Sequence, residues 1–344
     1  MLHKISGVII PTAPVVHGDP GAKKGEEKNS NHTPGRCIPV FLHCQDCQTG
    51  DKSIAGDKSV VKHGYRNINV ISGNGIRGLG RRLFARFTLE TLGISQESLS
   101  KDVVMLLFVG GATGGKYKLD VVAEKTILEV RRELPFIDLL GGTIHGHFIS
   151  GVLKVGFAIP YLKETAWMNT SPYRLDSPPT YTEFNSSLIK KIEYAKHQPE
   201  IVFDEETNDD SDSRMIYTAE AIPAGTHLLH SYAAIPLDGN TAKAMDAFIA
   251  LVNTVGYVGG WSRAGHGAFI AHYYDELTGK EYKPLVDPYV DYLVSNKEKI
   301  TAMLKELPGK FPADLKTEGD GVNNDKKSKE NKGKKSKKNE GGDE

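Results

Sequence analysis

The stretch NINVISGNGIRGLGRRLFARFTLETLG, residues 67–93, constrains the fold of this chain more than any other. Ile68 and Val70 alternate as in a strand, SGNG follows, and Ile76, Leu79, Leu83 and Phe87 then recur at helical period. A strand feeding a helix is therefore expected. At roughly 100° per residue, Arg77 and Arg81 flank the apolar face on one side and Arg82 and Arg86 on the other, while Gly73, Gly75 and Gly78 leave the helix start almost without side chains. Helix-start N–H groups without intrahelical partners, close approach at glycine and four guanidinium groups together make an anion site, best suited to a phosphodiester. The helix carries no lysine and a single acid, Glu90. That composition argues against a merely solvated charge run, because guanidinium makes planar, bidentate phosphate contacts.

Two nucleotide-binding patterns compete for the same letters. Residues 73–78 spell G-x-G-x-x-G after a strand, but the next apolar run, VVMLLFV at 103–109, taken as the following strand, ends in Gly110-Gly111 and not in an acid that could hold a ribose hydroxyl. Residues 110–117, GGATGGKY, nearly match a P-loop, yet Tyr117 stands where a magnesium-binding hydroxyl is required. Nucleotide hydrolysis is discounted on that ground.

The 344 residues carry 43 basic and 43 acidic side chains, so a nucleic-acid partner can be argued only from local patches. No apolar run approaches the roughly 20 residues needed to span a bilayer, and no signal peptide is read at the start, so a cytoplasmic protein with no membrane partner is expected. The three cysteines, Cys37, Cys44 and Cys47, lie close together beside His43. A C-x-x-C with a third cysteine and a histidine can hold zinc as Cys₃His, but without a second C-x-x-C such residues are more often reduced and inert. Zinc is kept as a weak candidate, and no other cofactor is expected.

Residues 3–16 read as the first strand, and residues 18–66 as an inserted, loop-rich segment. Residues 103–109 read as a buried strand or helix segment. A helix is expected from Lys116 to Leu134, closed by Pro135. Residues 151–160 read as a strand with Leu153, Val155 and Phe157 toward the core. Residues 161–214 form a second insertion. Residues 215–234, with the turn Pro-Ala-Gly-Thr, read as a hairpin. An amphipathic helix capped by Asn240 or Thr241 follows, with Met245, Phe248, Ile249, Val252 and Val255 inward and Gly256 as its stop. The segment GGWSRAGHG at 259–267 is a second glycine-rich, basic loop holding Ser262, Arg263 and His266, a shape that suits a sugar-phosphate backbone. Residues 282–304 read as a terminal helical region. The Lys-rich tail from 316 to 344 has no core residues and is expected to be disordered.

Taken in this order, the chain resembles the RAMP superfamily of CRISPR-associated proteins, and within it the backbone subunit of a multi-subunit effector complex. The residues that carry the resemblance are GNGIRGLGRR at 73–82, residues 139–142 with 150–160, EAIPAGT at 220–226 and GGWSRAGHG at 259–267. The runs LLFVGGATGG and GGTIHGHFISGVLKVGFAIP look most like the type IV branch. The resemblance implies an α+β fold: a ferredoxin-like, RNA-recognition-motif core with palm, thumb and finger insertions, making one domain over 1–315. It also implies an antiviral ribonucleoprotein in which copies of the chain polymerise as a helical filament along a guide CRISPR RNA. Guide bases would be left to pair with target DNA or RNA beside other effector subunits. Asn74, Arg77, Arg81, Arg82 and Arg86 would clamp the guide, Ser262, Arg263 and His266 would form a second contact line, and Lys116 and Lys118 weaker ones. Trp167 and Tyr173 in the second insertion would wedge between bases. The type III relatives cut target RNA with an acid in the loop before the arginine helix. Here that loop holds Asp46, Asp51 and Asp57 in a different sequence pattern, so no catalytic residue is expected.

Overall fold

The computed structural model describes residues 2–18, 32–43, 63–111, 117–119, 122–169, 190–196 and 215–315. In chain order the strands and helices begin with β1 (His3–Pro11), β2 (Val15–Val16), β3 (His32–Thr33), β4 (Cys37–His43) and β5 (His63–Asn69), which leads into α1 (Gly73–Leu92). Then come α2 (Lys101–Val109), β6 (Tyr117–Leu119), α3 (Glu124–Glu133), α4 (Pro135–Leu140), β7 (Gly142–Ile144), β8 (His147–Ile149), β9 (Lys154–Val155) and β10 (Ile159–Pro160). The remainder is β11 (Lys190–Lys196), β12 (Met215–Ile222), β13 (Leu228–Ala234), α5 (Gly239–Val255), β14 (Phe269–Asp275), α6 (Asp287–Ser295), α7 (Lys297–Lys310) and β15 (Ala313–Leu315).

The central sheet runs β10-β13-β1-β14, with β9 also on β13, and every pair in it is antiparallel. The first strand is thus central, and each of the helices α1 and α5 links two strands separated by an intervening one. This is a pair of interlocked split β-α-β units, the ferredoxin-like α+β arrangement. An all-antiparallel core also removes the dinucleotide reading, which needs a parallel sheet; the chain leaving α1 enters α2 rather than a strand.

One face of this sheet is dry. Ile5 and Ile9 of β1 and Leu228, His230, Tyr232 and Ala234 of β13 are buried at every second position, as the pleat requires. Helices α1 and α5 cover them. Phe84 meets Phe248 edge to face with ring centroids 6.1 Å apart, and Phe84 stacks on Tyr289 of α6 at 5.0 Å. Gly80 sets the α1–α5 separation, since a Cβ there would lie 2.3 Å from Phe248 Cζ. The buried stripe of α1 is Ile76, Gly80, Phe84, Thr88 and Leu92 with Ala85 and Leu89; Leu79, Leu83 and Phe87 are only half-buried, a rotation of the expected face.

Under these helices, His230 Nδ1 shares a hydrogen bond with the Tyr273 hydroxyl (2.8 Å) across Gly7 of β1, where a Cβ would lie 1.9 Å from His272 O of β14. Complete burial holds His230 neutral, lowering it from 6.5 to about 3. Its folded value lies below its unfolded one, so the stability it contributes is fully present above pH 6.5 and is lost as pH falls toward 3. In that window the wild type is expected to lose about 1.4 kcal/mol per pH unit through this group. Urea titrations of His230→Phe at several pH values should be flatter by that amount, and an unchanged slope would show that His230 is not held neutral.

Helix α4 is tied in by a buried carboxylate. Asp138, fully buried, pairs with Arg131 Nε of α3 at 2.6 Å, accepts from Thr241 Oγ1 of α5 at 2.8 Å and from the Leu237 N–H at 3.3 Å. Three helices therefore converge on one acid.

Several expectations are corrected. The run at 103–109 lies in a helix: Ser100 caps it by accepting from the Val103 N–H, Asp102 sits in its first turn, and Gly110 ends it at φ 86°. The helix expected from 116 to 134 begins only at Glu124, with β6 before it; it ends just before Pro135 as expected, and Pro135 also starts α4. Residues 151–160 hold two short strands, and Phe157 is 43 % exposed rather than core-facing. The expected hairpin at 215–234 does not pair with itself. Strand β12 joins β11, β2 and β3 in a second sheet, while β13 lies in the central one. Its Pro-Ala-Gly-Thr turn passes the chain between sheets, with the Gly225 N–H donating to Pro11 O (2.7 Å). Asp238, not Asn240 or Thr241, caps α5, and Val255 is 39 % exposed, whereas Gly256 ends the helix as expected.

Candidate nucleic-acid interface

Residues 67–93 fold as their pattern requires, into β5, a turn and α1. Ser72 is the helix N-cap: its Oγ accepts from the Gly75 N–H at 3.1 Å. His17 Nε2 accepts from the Ser72 backbone N–H (3.1 Å) and lies 2.9 Å from Ser72 Oγ. A backbone N–H can only donate, so Nε2 carries no proton and the Ser72 hydroxyl donates to it. One of the helix-start donors expected for an anion is thus satisfied internally. The glycines at this end serve packing. A Cβ on Gly73 would stand 2.1 Å from Val155 O, and one on Gly75 2.7 Å from His17 Cε1; only Gly78 opens outward, beside Arg82.

The four arginines divide into two pairs with different work. Arg81 Nη1 donates to Leu106 O (3.1 Å), and its Nη2 donates to Leu140 O (2.7 Å) and Gly141 O (3.0 Å). Arg77 Nη2 also donates to Leu140 O. These carbonyls lie in the last turn of α2 and at the end of α4, where the helix dipole and unpaired carbonyls favour a cation. Burial lowers both guanidinium groups, and with the nearby Arg77 charge it brings Arg81 down to about 10, so Arg81 stays charged at neutral pH. By contrast, Arg82 and Arg86 are exposed, one turn apart, with no side-chain partner among the described residues.

The second glycine-rich segment comes to the same place. Between α5 and β14, the Gly260 N–H donates to Val16 O (2.7 Å) and the Gly267 N–H to Pro14 O (2.9 Å), which seats the loop on β2 and its approach. Gly259 has φ 85°, and a Cβ there would meet Val16 O at 2.5 Å. Trp261 also adopts a positive φ, 58°, as the 3₁₀ turn Ser262–Ala264 begins. Ser262 and Arg263 are exposed at the tip. His266 is not: it is buried, Nδ1 lies 3.2 Å from Pro14 O, and its ring meets Trp261 edge-on.

Between this loop and the start of α1 lies an open groove of about 510 Å³. Gly75, Leu79 and Arg82 on one face of α1 line it together with Val255, Tyr257, Ser262 and Arg263. Sequence reasoning found the polar residues as two separate features. It missed Tyr257 and His17, which stand beside the glycine motifs without any pattern of their own.

Of the other candidates, Asn74 is exposed in the first turn of α1, Lys118 lies in β6, and Lys116 falls outside the described residues. Trp167 is 53 % exposed, and its Nε1 donates to Phe41 O of β4 (3.1 Å); Tyr173 lies outside the described residues. Cys37 Sγ donates to Asn69 Oδ1 (2.6 Å), and His43 ends β4. Cys44 and Cys47 lie outside the described residues, as do Asp46, Asp51, Asp57 and the tail from 316. Among the described residues no cluster of three His, Cys, Asp or Glu side chains could hold a metal, and no helix is long and apolar enough to cross a membrane.

A ferredoxin-like α+β core with a basic groove between its first helix and its last loop is the class this geometry defines. A chain of a solved structure described as a Type IV-B CRISPR complex has the same fold, with a TM-score of 0.51 and 22% sequence identity over 83% of this chain and 96% of that one. The α+β, ferredoxin-like core implied by the resemblance is therefore the one observed. The crystal structure of Cmr6 from Pyrococcus furiosus also aligns, at 13% identity over 78% of this chain and 97% of that one, with a TM-score of 0.35. No family model and no curated protein sequence matches the chain.

Proposed function

We propose that this chain is an RNA-binding subunit of a CRISPR effector ribonucleoprotein, and within it the backbone subunit that oligomerises along the guide. The observation that carries the reading is the groove itself. Two glycine-rich, arginine-bearing features about 180 residues apart in sequence both line it, on a fold shared with a chain of a type IV-B CRISPR complex. Exposed Arg82, Arg86 and Arg263 would neutralise backbone phosphates, with Ser262 and Asn74 as neutral contacts, while Arg77 and Arg81 hold the helices that present them. Contacts of this kind position a strand without reading its bases. They leave the bases to pair with a target.

Two experiments test this reading. Protein purified from cells that also express a repeat-spacer transcript should carry RNA of uniform length and form regular filaments in electron micrographs; a monomer free of RNA would remove the reading. Arg82→Ala with Arg263→Ala should reduce the slope of log affinity against log salt for single-stranded RNA by roughly 1.4, about 0.7 per phosphate contact. An unchanged slope would place the strand elsewhere.

A further inference from the structure

The arginines and Ser262 of the groove account for phosphates, but its apolar residues have no part in holding a backbone. Tyr257 is 43 % exposed and Val255 39 % exposed, and both line the groove with Leu79. Beside the exposed Arg82 and Arg263, these side chains add to the groove an aromatic ring that phosphate contacts do not use. The groove volume of about 510 Å³ falls within the roughly 300–1,000 Å³ typical of small-molecule clefts, and so admits a planar ring with its sugar. An exposed aromatic ring in a basic groove is a platform on which an unpaired base can stack, because every base has a stackable face.

Building on the groove's assignment to RNA, we infer that one nucleobase of the bound single strand enters it and stacks on the Tyr257 ring, against Leu79 and Val255. The phosphates on either side of that nucleotide lie at Arg82 and Arg263. The stack takes a base of any identity, since the Tyr257 ring, Leu79 and Val255 contact a base through its face. Binding then has two separable parts: a salt-dependent one from the arginines and a salt-independent one from the stack.

The test uses the full chain with a short fluorescein-labelled oligoadenylate and an abasic ribose-phosphate strand of equal length. Wild type should bind the oligoadenylate more tightly than the abasic strand. Tyr257→Ala should weaken oligoadenylate binding about 5- to 150-fold, the span expected for loss of one base–aromatic stack, with an unchanged salt slope. Tyr257→Phe should restore most of the affinity, and the abasic strand should bind wild type and Tyr257→Ala equally. Equal wild-type affinity for the two strands would overturn the inference even if Tyr257→Ala failed to fold, and so would a folded Tyr257→Ala that binds oligoadenylate like wild type. A wild type that binds neither strand would overturn the RNA assignment of the groove and this inference with it.

Discussion

Asp138→Ala is expected to destabilise the protein by about 3–5 kcal/mol, the cost of removing one partner from a buried ion pair. The carboxylate is fully buried and satisfies Arg131, Thr241 and the Leu237 N–H together. Its loss strands a mostly buried guanidinium and the Leu237 N–H at the meeting point of α3, α4 and the start of α5, while Thr241 Oγ1 keeps Asp238 Oδ1 at 3.3 Å. Chemical denaturation reads the change directly. Asp138→Asn, which keeps an acceptor but loses the charge, should fall between, and Arg131→Ala combined with Asp138→Ala should cost less than the sum of the single changes. A loss below about 1 kcal/mol would mean that Arg131 finds water on its own.

The second large effect separates two neighbours. Arg81→Ala is expected to cost roughly 2–4 kcal/mol, since hydrogen bonds from a charged donor contribute about 1.5–3 kcal/mol each and three carbonyls lose theirs. The total stays below the sum because Leu106 O keeps the Gly110 N–H and Leu140 O keeps Arg77. Folded Arg81→Ala should retain the wild-type salt slope for RNA, whereas Arg82→Ala should keep full stability and reduce that slope. Arg81→Lys should recover only part of the loss, because an ammonium cannot span carbonyls on two helices as the guanidinium fork does. If instead Arg81→Ala kept its denaturation midpoint and lost salt-dependent affinity, its guanidinium would be on a phosphate.

These pairs show where the chain's letters speak and where they do not. The start of α1, its arginine content and the stop of α5 at Gly256 are local properties, and local patterning found them. Which arginines are buried is not local: the carbonyls that hold Arg77 and Arg81 belong to Leu106, Leu140 and Gly141, contributed by other helices. Seven apolar residues at 103–109 fit a strand or a buried helix equally well by composition, and the deciding signals were the flanking Ser100 and Gly110. The Pro-Ala-Gly-Thr turn was legible as a turn, but the partners of its flanking strands were not, because β12 and β13 pair with segments far away in sequence. The groove suffers the same limit. Its two glycine-rich halves were visible, their adjacency was not, and Tyr257 becomes informative only once both are in place.

The placement of β1 between β13 and β14 also sets a timetable during translation. The ribosome releases α1 well before residues 255–263, which complete its groove, and before β14, which ends at Asp275. At about 5–20 residues per second, roughly ten to forty seconds separate the two events. During that interval α1 is without α5, and its future binding surface has one wall. On the reading proposed above, an RNA strand would meet a complete groove only after Arg263 has been made.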